Sequence, residues 1–395
     1  MVRGWRMGVA RLPPFPVAAS GDREGRIAAG ASPMTASTPG STAEASSPAA
    51  RGRLNGRMGG LGDVMPGVLL AAAVGVVATL LEPTAARLAA ALFGATAGLP
   101  AMVLALLIGI LLNPVAQRLV FRPGLTFCVK KVLRWAVALL GLKIAVGDVL
   151  GLGWQVMVVV VAGMAATLVS GVWLARLFGR SDAYGALVGS ATAVCGASAA
   201  LATVSVLPDY KEREADVAFV VVAVNALATL AMLLYPPLAA FVGFDERMTG
   251  ALLGAAIHDV AQVAGAGYAV SEVAGNTAVV VKLFRVFLLL PVVLAVAFYF
   301  ASQGGSTARA RVPVPVFAIV FLALVLVNSY ALLPGPVTGV LNEASRTGLL
   351  LAIAALGLGT SPRALASLGW RHVVIATGVT LIILAISVAG LALLG

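Results

Sequence analysis

Charged residues, histidine and cysteine are scarce in this 395-residue chain. Asp, Glu, Lys and Arg make up only 11% of it, and it has two histidines and two cysteines, Cys128 and Cys195. Together with 60% hydrophobic residues and a mean hydropathy of +1.01, this scarcity lies far outside the composition of soluble globular domains. Two cysteines without paired spacing predict no disulfide framework, and so few histidines predict no metal site.

Motifs for catalysis and nucleotide binding are also missing. The sequence has no nucleophile and base arrangement typical of a hydrolase, and no glycine-rich run is followed by Gly-Lys-Ser/Thr. We therefore expect neither an enzyme nor a bound cofactor. The net charge of +11 does not indicate nucleic-acid binding, because Lys and Arg lie mostly at the ends of apolar runs, as in membrane proteins.

Long apolar runs are what the chain has in abundance. Eleven follow one another, joined by short loops: 64–82, 98–113, 127–147, 154–177, 184–207, 215–242, 249–270, 277–300, 313–333, 347–360 and 371–394. They predict an all-α, polytopic membrane protein with 9–11 transmembrane segments in residues 61–395. Basic loops near Arg118, Arg180, Arg309 and Arg363 fall on the side of the N-terminus. This bias predicts a cytoplasmic N-terminus.

Residues 1–60 have a different composition from the rest of the chain. They are rich in Ala, Gly, Ser, Pro and Arg and have no apolar periodicity, so we expect a disordered basic tail. Two interpretations remain open: the true start is Met58 or Met65, or the tail is cytoplasmic and contacts anionic lipid.

Two internal repeats favour a carrier over a receptor. "ALLGLKIAVGDVLGLGW" (138–154) aligns without gaps with "AALGLGTSPRALASLGW" (354–370), and the loop charges predict that the two segments cross the membrane in opposite directions. "GALVGSATAVCGASAALA", from Gly185, likewise matches "GALLGAAIHDVAQVAGAG", from Gly250. If both of these segments span, they run parallel. If both are re-entrant, they enter from opposite faces.

The first candidate site is the small-residue stretch "GSATAVCGASAALAT". Such a sequence weakens the helix and lets backbone approach a ligand closely, and a broken helix can hold an anion at its free amides. The alternative is tight packing of small residues.

The second candidate site is "HDVAQ", which carries His258, Asp259 and Gln262 inside an apolar run. Polar groups are expensive in hydrocarbon, so these residues predict a function, here the coupling of an ion or proton to transport. His258 and Gln262, four residues apart, would share one face of a helix. The alternative is a polar cluster that only fixes helix contacts.

The third candidate site is "VVKLFRVFLLLPVV", in which Lys282 and Arg285 are three residues apart within an apolar run. The functional interpretation is a positive patch that attracts an anion or pairs with Asp259. The alternative is that both side chains snorkel to the membrane interface. Weaker candidates of the same sort are Lys143, Asn225 and Asn328.

Several of these motifs are similar, in order, to those of a bacterial family known as sulfate exporters. The resemblance rests on "SATAVCGASAALAT", "HDVAQVAGAG", "VVKLFRVFLLLPVV", "VNSY" before "LLP", and "AALGLGT", and it covers residues 62–394. It implies a bacterial inner membrane as the location, and the fold of the cation/proton antiporter and anion transporter clan, in which two inverted repeats carry unwound helices that meet at mid-membrane. Carried onto this chain, the resemblance implies that one broken element holds the candidate substrate-binding residues Ser190, Thr192, Cys195, Gly196 and Ser198. Its counterpart would be the segment with His258, Asp259 and Gln262. Many members of that family have Glu where this chain has Asp259.

Three functional hypotheses follow. The first is a secondary carrier that exports a small inorganic or organic anion, with sulfate or a related sulfur oxyanion implied by the resemblance, and with coupling to a proton or sodium. The second is a cation/proton antiporter in which Asp259 exchanges a proton for sodium. The third is a membrane scaffold or sensor without transport. Carriers of this build often pair, so a homodimer is also expected.

Overall fold

The computed structural model describes residues 61–93, 100–210, 212–302, 316–360 and 370–394. The proposed tail, residues 1–60, lies outside them. All regular structure in the described residues is helical, which confirms the all-α prediction.

The helices of the first half begin close to the predicted apolar runs. A π turn (Cys128–Val132) joins α4 to α5, and a 3-10 turn (Leu140–Lys143) follows α5. The helices are α1 (Leu61–Phe93), α2 (Ala101–Leu111), α3 (Asn113–Ala116), α4 (Arg122–Phe127), α5 (Leu133–Leu139), α6 (Val146–Gly151), α7 (Gly153–Leu177), α8 (Asp182–Ala193) and α9 (Ala197–Val204).

The second half continues with long helices and one further broken segment. Its helices are α10 (Arg213–Val242), α11 (Glu246–Ala256), α12 (Val260–Val270), α13 (Glu272–Phe287), α14 (Leu289–Ser302), α15 (Val316–Ser329), α16 (Gly335–Gly359) and α17 (Trp370–Ala392). Five helical stretches are long and apolar enough to cross a membrane by themselves: Gly62–Ala85, Gly153–Leu177, Arg213–Val242, Glu272–Ser302 and Trp370–Ala392.

Helices α8 and α9 form a re-entrant hairpin, named hairpin 1 (182–204), that enters and leaves at the same face. Arg180, just before α8, pairs with Asp216 in the first turn of α10 at 2.6 Å. Arg213 Nη2, at the start of α10, donates to the carbonyl of Val204 at the end of α9 at 2.6 Å. Both ends of hairpin 1 therefore lie at one face, named the Arg180 face.

Helices α11 and α12 form the second re-entrant hairpin, hairpin 2 (246–270), which enters from the opposite face. Gly250, near the start of α11, and Gly267, near the end of α12, both pack against the Ala274 carbonyl in the first turn of α13. Beside them, Glu272 pairs with Lys143 at 3.0 Å. We name this side the Lys143 face.

The hairpins decide between the two topologies that the second sequence repeat left open. Segments 184–207 and 249–270 are both re-entrant and enter from opposite faces. Of the eleven apolar runs, nine therefore cross the molecule and two turn back, as traced through the described residues. The hydropathy of a hairpin resembles that of a span, which is why composition alone does not separate them.

The first sequence repeat also has its expected geometry. Helix α7 begins at Gly153, next to the matched Trp154, and α17 begins at the matched Trp370. The two helices pack antiparallel. Gly390 near the end of α17 faces Val159 near the start of α7, and Gly378 faces Leu174 near the end of α7. The helices that follow the two copies therefore run in opposite directions, and residues 361–369 of the second copy lie outside the described residues.

Close glycine contacts divide the helices into two groups. In the first, named the scaffold bundle (α1–α5 with the 3-10 turn Leu140–Lys143, α15 and α16), Gly67 packs on Gly124 and Gly109 packs on α16. In the second, named the hairpin bundle (α7–α14 and α17), Gly171 packs on hairpin 1 and Gly254 packs on α13. Helix α12 contacts α2 and α16 along the seam between the bundles.

Candidate functional site

The tips of the two hairpins meet in the middle of the molecule. Residues 194–196 join α8 to α9, and residues 257–259 join α11 to α12. Lys282 of α13 connects the two tips, because its Nζ donates to the Val194 carbonyl at 2.6 Å and to the Ile257 carbonyl at 2.8 Å. Lys282 lies about 15 Å along α13 from Glu272, which is close to mid-membrane depth.

Arg285, one turn further along α13, binds the same two helix ends. Its Nε and Nη2 donate to the carbonyls of Ala193 and Thr192 at the end of α8, at 2.9 and 2.7 Å. Its Nη1 donates to the carbonyls of Ala255 and Ile257 at the end of α11, at 2.6 and 3.1 Å. Helices end with unpaired carbonyls and a partial negative charge, and this guanidinium satisfies both.

These contacts change the interpretation of the basic pair. Lys282 and Arg285 are both completely buried, so the snorkelling alternative is wrong. Neither forms an ion pair with Asp259 within 4.0 Å in the described part of the chain. Their hydrogen bonds go to backbone carbonyls. Their positive charge would therefore act on a ligand at the tips through its electric field rather than by direct contact.

His258 lies in the tip of hairpin 2 and not in a helix. Helix α11 ends at Ala256 and α12 begins at Val260, so the predicted helical face shared by His258 and Gln262 does not exist. His258 Nε2 lies 3.0 Å from Thr380 Oγ1 of α17. Thr380 donates its hydroxyl hydrogen to the Ala376 carbonyl and so accepts from His258, which makes Nε2 the protonated nitrogen of this buried ring.

The N-terminal ends of α9 and α12 differ in how they are capped. Asp259 caps α12, because its carboxylate accepts from the Ala261 amide at 3.0 Å. Gly196 precedes α9 and, because it has no side chain, provides no side-chain cap. Its φ of 62° is a left-handed conformation that favours glycine.

A cavity of about 380 Å³ lies against these two helix ends, on the seam between the bundles. Gly196, Ala197 and Asp259 line its inner part, together with Asn225 of α10. Its outer part is lined by residues of α4, the following π turn and the end of α16, and it opens toward the Arg180 face; these include Thr126, Lys130 and Thr360. Asp259 is the one carboxylate among the described residues that line it.

The remaining predicted residues fall at different distances from this cavity. Thr192 and Cys195 are buried at the tip of hairpin 1. Ser190 donates to the Leu187 carbonyl within α8, and Ser198 is exposed and does not line the cavity. Gln262 is buried behind the cavity, where its Nε2 lies 3.4 Å from both Asn225 Oδ1 and Thr229 Oγ1.

Sequence analysis missed part of the cavity wall. Its residues Thr126, Lys130, Ala197 and Thr360 were not among the candidate site residues, because no motif in the sequence marks them. Asn225 was a weak candidate, and its position inside an apolar run was the available signal. The other two weak candidates lie at the Lys143 face: Asn328 donates to the Ile144 carbonyl, and Lys143 pairs with Glu272.

A second cavity, of about 720 Å³, lies on the same seam at the opposite face. Helices α1, α2 and α16 of the scaffold bundle line it, together with Tyr268 and Glu272 of the hairpin bundle. The ion pair between Lys143 and Glu272, at 3.0 Å, joins the two bundles at its edge. The seam therefore has one cavity toward each face.

The fold and the site define a multi-pass helical membrane protein with two apposed re-entrant hairpins. A family model described as "Conserved hypothetical protein 698" matches residues 66–376. The chain is similar to the UPF0324 membrane protein TauZ of Paracoccus pantotrophus, with 42% identity over 75% of this chain and 89% of that protein. It is 41% identical to a UPF0324 membrane protein of Chlorobaculum tepidum, over 82% of this chain and 88% of the relative.

A UPF0324 membrane protein of Rhizobium meliloti is also similar, with 41% identity over 80% of this chain and 92% of the relative. The chain belongs to this family of membrane proteins. No solved structure matches it.

Proposed function

We propose that this protein is a secondary transporter of a small oxyanion, of the sulfate class, that works by alternating access. The observation that carries the proposal is the cavity at the uncapped N-terminal end of α9, where the tips of two oppositely directed hairpins meet. Free helix amides at mid-membrane bind anions in carriers with discontinuous helices. The carbonyl ends of α8 and α11 are occupied by Lys282 and Arg285 and do not repel such a ligand.

The charge balance at the tips supports an anionic substrate. Lys282 and Arg285 bring two positive charges, while Asp259 brings one negative charge when it is ionised. The two helix C-termini add about −1 in total, and the two helix N-termini add about +1. The tips therefore carry about +1 with Asp259 ionised and about +2 with Asp259 protonated. A divalent anion that enters together with one proton neutralises this charge.

Asp259 is the proposed site of the coupled proton. It lines the cavity and faces the substrate space, whereas His258 is buried and hydrogen-bonded to Thr380. Protonation of Asp259 would remove a negative charge beside the anion, so proton and anion binding favour one another.

The second candidate is a cation/proton antiporter, and one specific observation favours it. Asp259 is the carboxylate that the cavity offers, and a carboxylate that exchanges a proton for sodium needs such a position. Against it stand the two buried cations beside a single acid, because a bound sodium ion would add a further positive charge to the tips.

Purified protein in proteoliposomes distinguishes the two candidates. With an imposed proton gradient, we expect saturable accumulation of labelled sulfate. The Asp259→Asn variant should lose the response to the gradient but retain exchange of sulfate for sulfate, because the anion site is still present. The control is Asp63→Asn, which changes an exposed carboxylate in the first turn of α1 and should behave as the wild type.

Two results would overturn the anion proposal. One is sodium-driven proton flux that Asp259→Asn abolishes, in the absence of any sulfate flux, which would identify an antiporter. The other is that protein shown to be folded, by a cooperative thermal unfolding transition, transports none of sulfate, sulfite, thiosulfate and sodium. That result would favour the membrane scaffold or sensor.

A further inference from the structure

Asn225 holds a special position on the wall of the first cavity. It lies on α10 beside Asp259 and Gly196 and is half-buried, with the cavity on one side and Gln262 on the other. An asparagine side chain can present either a carbonyl oxygen or an amide nitrogen to a ligand, so its orientation matters for the charge of that ligand.

Two contacts of 3.4 Å behind Asn225 favour one orientation. Thr229 Oγ1 lies 3.1 Å from the Asn225 backbone carbonyl and donates its single hydrogen there. The same hydroxyl oxygen must therefore accept from Gln262, whose Nε2 lies 3.4 Å away. This contact turns the Gln262 amide so that its Nε2 also faces Asn225 Oδ1, at 3.4 Å.

Asn225 Oδ1 is directed at Gln262, and Asn225 lines the cavity. We propose that Asn225 is a substrate-contacting residue that selects for anions, and that Thr229 and Gln262 are positioning residues that hold its NH₂ group toward the substrate. The inference rests on the proposed function and deepens it, because it names the group that recognises the oxyanion and assigns Gln262 a role other than ion coupling.

The orientation discriminates between the two substrate classes by chemistry. An NH₂ group donates hydrogen bonds to the oxygens of sulfate or a related oxyanion. The same group offers sodium no lone pair, since sodium requires carbonyl, carboxylate or hydroxyl oxygens. A site built for sodium would present Asn225 Oδ1 to the cavity next to Asp259.

The first test replaces the proposed contact itself. Asn225→Leu keeps a similar volume and removes both donors. We expect the KM for labelled sulfate in proteoliposomes to rise roughly tenfold to a hundredfold, the range for a lost hydrogen bond to a charged group. The matched control is Asn328→Leu, which removes an asparagine at the Lys143 face and should leave that KM unchanged. Should Asn225→Leu not fold, Asn225→Ala provides the same comparison.

The second test reverses the orientation without touching the cavity wall. Gln262→Glu replaces the donor with a carboxylate, which attracts Asn225 Nδ2 and turns its Oδ1 toward the substrate. The KM for sulfate should rise about as much as in Asn225→Leu. Gln262→Met removes the hydrogen bond without reversing it and should have a smaller effect. A residue that only stabilises the fold would affect both Gln262 variants alike.

The outcomes separate this inference from the proposed function. If folded wild-type protein transports sulfate, and Asn225→Leu or its Ala replacement leaves the KM unchanged, the assignment of Asn225 is wrong while the proposed function stands. If Gln262→Glu and Gln262→Met raise the KM equally, the positioning role is wrong. If the wild type shows no saturable oxyanion flux, the proposed function fails, and the inference fails with it.

Discussion

Two basic side chains at the centre of the molecule illustrate how position determines what a residue does. Lys282 and Arg285 are completely buried, and both donate to the carbonyl ends of α8 and α11. A helix that ends inside a membrane leaves carbonyls that neither water nor a further turn can satisfy, and each unsatisfied group costs several kcal/mol. Arg285 matches this need because its planar guanidinium carries five donors in fixed geometry.

Arg285→Met should therefore destabilise the protein strongly. The change leaves carbonyls at two buried helix ends without donors, and we expect the free energy of unfolding to fall by about 3–5 kcal/mol. Denaturant titration of purified protein in detergent measures it. The control is Arg176→Met, an exposed arginine at the Arg180 face, which should change stability little. Unchanged stability of Arg285→Met with loss of sulfate binding would instead favour direct contact between Arg285 and the anion.

At the scale of elements, the two broken segments decide where the site lies. Each hairpin reaches the centre from one face, and each break exposes backbone that a continuous helix would hide. Gly196 makes the first break possible because it adopts φ 62° and ψ −124°, a conformation that residues with a Cβ rarely adopt. The second break is followed at once by the Asp259 cap of α12.

Gly196→Ala should disturb the tip of hairpin 1 through the backbone alone. An added Cβ would meet only Val224 Cγ1 at 3.6 Å and the His258 carbonyl at 3.8 Å, which are ordinary contacts. The strained φ should cost about 1–3 kcal/mol, measured by the same denaturant titration. Gly339→Ala, inside α16 with no atom within 4 Å, should instead be neutral or stabilise by up to about 1 kcal/mol. Equal effects of the two changes would contradict this account.

At the scale of the whole molecule, the seam between the scaffold and hairpin bundles carries a cavity toward each face. Alternating access in carriers with inverted repeats is largely the movement of one bundle against another. Within each bundle, glycines bring helix backbones into close contact, as Gly67 does with Gly124 and Gly171 with Gly189. Such contacts favour two rigid units, so the proposed alternating access would move them against each other along the seam.

A cross-link across the seam should therefore stop transport. Lys143→Cys combined with Glu272→Cys replaces the ion pair that joins the bundles at the Lys143 face. A short bis-methanethiosulfonate reagent can connect the two thiols by forming a disulfide with each and releasing methanesulfinate. We expect sulfate flux to be lost and to return when a reducing agent cleaves the linker. The native Cys128 and Cys195 are buried, which limits background reaction.

The matched control joins two positions inside one bundle. Arg176→Cys with Asp182→Cys connects the end of α7 to the start of α8, where an ion pair of 2.6 Å lies in the wild type. Flux should survive this cross-link. If both pairs block transport equally, or neither does, the seam is not where the bundles move.

The extent of the sequence predictions follows from how local each property is. Apolar runs and small-residue stretches are local features of the sequence. The helices, the first repeat and the unusual segments around Gly196 and Asp259 could therefore be predicted from it directly. The pairing of Lys282 and Arg285 with carbonyls of α8 and α11 joins residues about 30 to 90 positions apart, and no pattern in one chain encodes it. Asn225 gained importance only through Gln262 and Thr229.

The sequence by itself determined that this protein is helical and embedded in a membrane. So many apolar residues and so few charged ones require a lipid environment, and there a helix satisfies the backbone hydrogen bonds. It also determined which polar residues are unusual there. Only the tertiary structure decided that two of the eleven apolar runs turn back, that Lys282 and Arg285 satisfy helix ends, and that Asp259 and Asn225 face a cavity. These outcomes depend on which backbone groups remain unpaired once the helices pack, and packing joins residues that are distant in the chain.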